Sequence, residues 1–278
     1  MATSPKIESP TTVRPWPGLW GGIWLSLLWI VLVGVMGYVA GAAAGAVGAE
    51  LSAAMGLAAG SVLAYALILP LARERARTTF RELLPLGRLH PAGLGAVLLG
   101  FGGVTVLLMQ AAALSVLVIP MPEMIVEQLM ELVLSDPLGF LVMGVVVAPI
   151  GEELLFRGVI LRGLLRRYGT WTAALASALL FALAHLNPWQ AVLALPLGLL
   201  LAWLYLRTRS LLPCIAAHAA CNLQPWLIAD AGGGIDADPN AAFVYPAWLL
   251  VAGGVAAAVG FALQVRLFRP QPPAELRR

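Results

Sequence analysis

Eight apolar runs of about twenty residues each constrain this chain more than any single motif in it. A helix of that length crosses the hydrocarbon core of a bilayer, and in lipid only helices and closed barrels satisfy all their backbone polar groups. The runs lie at about 20–48, 52–71, 92–119, 138–161, 171–187, 190–206, 211–229 and 243–265, and they leave no stretch for a soluble domain. Composition agrees, since 60% of the 278 residues are hydrophobic and 11% are charged, against about 25% charged in soluble domains. The expected fold is all-α, a polytopic transmembrane helical bundle.

The gaps between the runs test this division. Those at 49–51, 120–137, 188–189 and 230–242 hold Glu50, Glu123, Glu127, Glu131, Asp136, Asp230, Asp236 and Asp238 and no Lys or Arg. The alternate gaps hold Arg73, Arg75, Arg77, Arg81 and Arg88, then Arg162, Arg166 and Arg167, then Arg207 and Arg209, and finally Arg266, Arg269, Arg277 and Arg278. By the positive-inside rule the basic gaps and both termini are cytoplasmic. A miscount by one span would scramble the segregation. The basic residues therefore report topology, and the net charge of +3 is no signal for nucleic acid.

Four regions follow. Residues 1–18, polar and proline-rich, read as a disordered cytoplasmic tail. Residues 19–137 hold the N-terminal spans, with an amphipathic basic loop at 73–90 lying on the cytoplasmic membrane surface. Residues 138–230 carry the intramembrane polar groups, and 231–278 hold the last span and a basic cytoplasmic tail. The first run shows no small-residue cleavage site at signal-peptide distance and reads as a true span. Its Gly37, Gly41 and Gly45 have the spacing by which membrane helices approach closely, here within the chain rather than between two copies. Cys214 and Cys221 are seven helical residues apart, about 10 Å, too far for a disulfide, and read as small buried apolar residues.

An ionisable group at mid-membrane costs about 2.5–3.5 kcal/mol and marks function by default. The stretch "APIGEELLFRGVILRG" puts Glu152, Glu153 and Arg157 in the fourth run; the fifth holds His185 in "FALAHLN", and the seventh holds His218 and Asn222 in "HAACN". Little else in the bilayer can satisfy these groups, so they are expected to converge on one site. Glu153 and Arg157, four apart in acid-first order, form a helical ion pair. Glu152, turned about 100° from Glu153, is left to face a cavity. His218 and Asn222 share a helix face, and Phe181, one turn before His185, packs beside it and limits water access.

Such a cluster suits amide hydrolysis. A carboxylate near a neutral imidazole can take a proton from water, and donors such as His218 and Asn222 can hold the developing oxyanion. Alternatively, Glu152, His185 and His218 could bind Zn²⁺ with water in the fourth position. The H-E-x-x-H pattern of soluble metalloproteases is absent. A transporter or an immunity scaffold would also keep mid-membrane charges, but transporters are built from inverted repeats, and none is evident here.

In order along the chain, "EELLFR" (152–157), "FALAH" (181–185) and "HAACN" (218–222) fit E-E-x-x-x-R, F-x-x-x-H and H-x-x-x-N. Over residues 138–230 the chain thereby resembles the CPBP family of intramembrane proteases, which includes CAAX proteases and bacteriocin-processing enzymes and is also called the Abi family. The resemblance implies that Glu152 with His185 activates water, that His218 and Asn222 form the oxyanion site, and that Glu153, Arg157 and Phe181 support it. Metal-free and metal-dependent mechanisms are both proposed in the family; Asn222, a poor zinc ligand, favours the metal-free one, with no cofactor. The expected substrate is a membrane-associated protein or peptide within the lipid bilayer. A single lysine amid abundant alanine, proline and arginine points to a GC-rich bacterium and its plasma membrane, and to peptide processing or protein sorting over eukaryotic-type prenyl processing.

Overall fold

The computed structural model describes residues 16–232 and 244–268. The sequence-predicted tails at 1–15 and 269–278 and the acidic gap at 233–243 lie outside the described residues. Within them the chain forms helices and no strand: α1 (Leu19–Ala46), α2 (Ala53–Ala76), α3 (Phe80–Leu83), α4 (Pro91–Ser115), α5 (Glu123–Ser135), α6 (Pro137–Leu165), α7 (Thr170–Ala184), α8 (Pro188–Thr208), α9 (Leu211–Gly232) and α10 (Ala247–Leu267). This is the helical polytopic bundle expected. Six helices, α1, α2, α4, α6, α8 and α10, are long and apolar enough to cross a membrane. The remaining two runs fold as α7, only 15 residues long, and α9.

The helix starts follow from local chemistry. His90, Asp136 and Asn187 each stand directly before a proline, and each side chain accepts a hydrogen bond from the first turn of α4, α6 or α8. A capping side chain satisfies an orphan N–H, and proline at the first helical position has none to lose. His90 is thus a cap. Ser52 caps α2 and also donates its hydroxyl to Asp136, tying the start of α6 to the start of α2. That bond and the Gly139 amide hold the Asp136 carboxyl below its ordinary range.

Two of the gaps carry structure of their own. In the basic stretch 73–90, Arg73 and Arg75 finish α2, Arg77 terminates it at φ 49°, and α3 is a single turn with a Thr79/Glu82 capping box. In the gap 120–137, α5 is a separate amphipathic helix whose Glu123, Glu127 and Glu131 recur at four-residue spacing.

Glycine sets the closest helix contacts, because without a hydrophobic driving force membrane helices pack where small residues let backbones meet. On α1, Gly37 lies against α2, where a Cβ at Gly60 would stand 2.5 Å from Gly37 N, while Gly41 and Gly45 face open space. The sequence pointed to Gly37 but not to the larger seam between α4 and α10. There a Cβ on Gly103 would lie 2.4 Å from Gly253 O, and one on Gly260 would lie 2.2 Å from Gly100 N. Nothing stands within 4 Å of the Cβ position at Gly102. Gly103→Val should therefore destabilise the detergent-solubilised protein by about 1–3 kcal/mol in a thermal melt, an overpacking effect, while Gly102→Val leaves the melt near wild type.

Helix α6 runs through the centre of the bundle. Its Leu155, Phe156, Val159, Ile160, Leu161 and Leu164 form the middle of the core, surrounded by Ala173, Ala174 and Phe181 from α7 and Leu201 and Leu204 from α8. The helix is not uniform: Met143–Val147 and Leu154–Leu161 are π-helical, on either side of the turn Ala148–Glu153. Each π-turn accommodates one extra residue, and such bulges recur at functional sites.

Candidate active site

The three polar-bearing helices, α6, α7 and α9, bring their groups together. Arg157 and Glu153 are both fully buried, and Arg157 Nη1 donates to Glu153 Oε1 at 2.8 Å. Arg157 Nη2 donates to Gly198 O on α8 at 3.0 Å, and its guanidinium lies 4.6 Å from the Phe181 ring centroid. Glu153 has a second partner that its spacing did not reveal, since His218 Nδ1 is 2.9 Å from Glu153 Oε1. On the other edge of that imidazole, Nε2 stands 3.8 Å from Glu152 Oε2. His218 therefore sits between the two carboxylates.

Phe181 is the hub. Its ring meets His185 edge to face at 5.0 Å and His218 at 5.6 Å, and packs on Phe156 at 5.2 Å. Each imidazole therefore has the same ring beside it. His185 Nδ1 lies 2.8 Å from the carbonyl of Phe181, and a carbonyl only accepts, so Nδ1 carries the proton and a neutral His185 has its lone pair on Nε2. His185 caps the C-terminus of α7. At 1.5 Å per residue a helix of 15 residues spans about 22 Å, short of the roughly 30 Å apolar thickness.

Asn222 Nδ2 donates to Gly144 O, within the first π-turn of α6, at 2.8 Å. An amide nitrogen has two hydrogens, so one remains. Glu152, His185, His218 and Asn222 line one cavity of about 460 Å³ whose other walls include Leu57, Thr105, Met109, Phe140, Leu193 and Cys221. Glu153 and Arg157 lie behind this wall. Glu152 is only 6% exposed, and its Oε2 has no hydrogen-bond partner among the described residues.

Two features of the site carried no sequence signal. Gly151, just before Glu152, has no room for a side chain, because a Cβ there would lie 1.8 Å from the ring of Tyr65 on α2; Tyr65 in turn stacks on Trp29 of α1. Cys221 and Cys214 are buried free thiols, as expected, and Thr105 Oγ1 donates to Cys221 Sγ at 2.9 Å.

The zinc alternative requires Glu152, His185 and His218 to converge. Glu152 and His218 approach as two ligands of one ion would, but no three His, Cys, Asp or Glu side chains among the described residues stand close enough to form a metal site.

Fold and site together define a multi-pass membrane protein in which Glu152, His185 and His218 line one cavity. Residues 134–224 match the family model described as "Type II CAAX prenyl endopeptidase Rce1-like". No curated protein and no solved structure matches the chain. The matched segment, about a third of the chain, holds all three motifs, and over it the chain is similar to CAAX-type intramembrane proteases, consistent with the CPBP resemblance.

Proposed function

We propose that the protein hydrolyses a peptide bond near or within the membrane, with Glu152 and His185 activating the water and His218 and Asn222 holding the oxyanion. The observation that carries this reading is the buried Oε2 of Glu152, without a hydrogen-bond partner among the described residues, 3.8 Å from His218 Nε2 and facing a largely apolar cavity that His185 also lines. A carboxylate kept there without a partner suits proton abstraction better than it suits structure. The lone pair on His185 Nε2 can take a proton from the same water.

For His218 to donate from Nε2, that nitrogen must carry a proton in addition to the one facing Glu153. Asn222 keeps one N–H for the oxyanion while the other holds Gly144. Glu153, Arg157 and Phe181 position these groups. The chemistry as proposed is metal-independent and needs no cofactor.

The substrate on this reading is a membrane-associated protein or peptide in a bacterial plasma membrane, processed during maturation, leader removal or sorting. The test compares the membrane and surface proteomes of cells carrying wild-type protein with those carrying Glu152→Ala or His185→Ala. Termini present only with the wild type are the expected result; cleavage that persists in either variant overturns the assignment. Zinc bound stoichiometrically to the purified protein, with activity lost on its removal, would overturn the metal-independent mechanism.

A further inference from the structure

The lining of the cavity is distributed unevenly along the bundle. On four helices it comes from turns next to the gaps that lack Lys and Arg. Leu57 is in the second turn of α2, Met109 is within two turns of the end of α4, Phe140 is in the first turn of α6, and Gln190 is in the first turn of α8; His185 caps α7 on the same side. None of the lining residues comes from the turns bearing Arg73 and Arg75, Arg162, or Arg207.

Burial grades in the same direction. The floor residues Glu152, His218, Cys221, Thr105 and Phe181 are all buried. At the arginine-free end Leu57 is 37% exposed, Gln190 is exposed and Met109 is half-buried. A closed floor at mid-bundle and an exposed rim at one end describe a well with one mouth. That mouth lies on the side of the acidic gaps, where α5 joins α4 to α6 and where Trp189 Nε1 donates to Ile119 O at 2.7 Å.

We infer that the cavity is entered from the arginine-free face, extracytoplasmic by the positive-inside rule, and that the substrates are polypeptide segments presented from that face by exported proteins. The inference rests on the proposal that this cavity is the protease site. A chain that stays in the cytosol would meet the closed floor and the arginine-bearing turns, with Glu152 behind them.

Accessibility tests this without any substrate. Gln190→Cys and Leu57→Cys place a thiol at the mouth, and Arg88→Cys places one at the opposite end, where Arg88 is exposed. Intact bacterial cells carrying each variant are treated with a membrane-impermeant sulfonated thiol reagent, and the remaining free thiol is measured against wild type. The expected result is loss of the added thiol at positions 190 and 57 on intact cells, with the thiol at 88 lost only after the membranes are opened. The reverse pattern overturns the inference, as does labelling of both ends or of neither end on intact cells. Labelling does not depend on catalysis, so persistent cleavage by Glu152→Ala would remove the protease reading while leaving the labelling result intact.

Discussion

Glu152→Gln is expected to reduce peptide cleavage by about 10²–10⁴-fold, the usual weight of a positioned proton acceptor, and at the same time to leave the protein at least as heat-resistant as the wild type. The first effect follows if Glu152 takes the proton from water. The second follows from its surroundings, because Oε2 is buried without a hydrogen-bond partner among the described residues and the neighbouring carboxylate already occupies the Arg157 guanidinium. A neutral amide of the same shape removes a buried charge whose Oε2 no hydrogen bond satisfies. Functional groups held at such a disadvantage are a common source of trade-off between activity and stability. Cleavage rates and thermal melts of the purified variant check both halves; a melt that falls by several degrees with activity retained would make Glu152 a structural residue.

Arg157 should behave in the opposite way. Arg157→Met leaves Glu153 buried with its main counter-charge gone, and breaking a buried pair at one end costs about 3–5 kcal/mol. The loss extends further, because the guanidinium also holds Gly198 O and covers Phe181, the ring against which both imidazoles rest. The variant is expected to accumulate poorly in membranes. Adding Glu153→Gln removes the stranded charge, so the double variant should regain part of the lost melting temperature without regaining cleavage, since His218 Nδ1 then faces an amide instead of a carboxylate. Equal stability of the single and double variants would show that the pair is not what holds α6 in place.

These two residues also mark how far the chain could be read in advance. The apolar runs correspond to α1, α2, α4 and α6–α10 because lipid imposes helix on any long apolar stretch, and the Glu153–Arg157 pair was legible because four-residue spacing fixes it within one helix. Contacts between helices were not. His218 reaching Glu153, Asn222 reaching Gly144 and Tyr65 seating on Gly151 depend on rotation about each axis, and a helix apolar on every side gives no periodic pattern from which to infer its rotation. Helix α5 is the opposite case: Glu123, Glu127 and Glu131 recur at four-residue spacing and mark a polar face, a periodic signal present in the sequence.

The two π-turns of α6 have a consequence for how this site can be altered. An α-helix turns about 100° per residue, so the extra residue that each π-turn accommodates re-aims everything between the two turns relative to the flanking helix. Glu152 and Glu153 stand on that intervening turn. Removing one residue from Met143–Val147 and inserting one after Glu153 would swing the carboxylate pair to another side of α6 while leaving both ends of the helix in register. The direction in which the acid points is thus encoded as sequence length, and is open to change by paired insertion and deletion without substituting a single side chain.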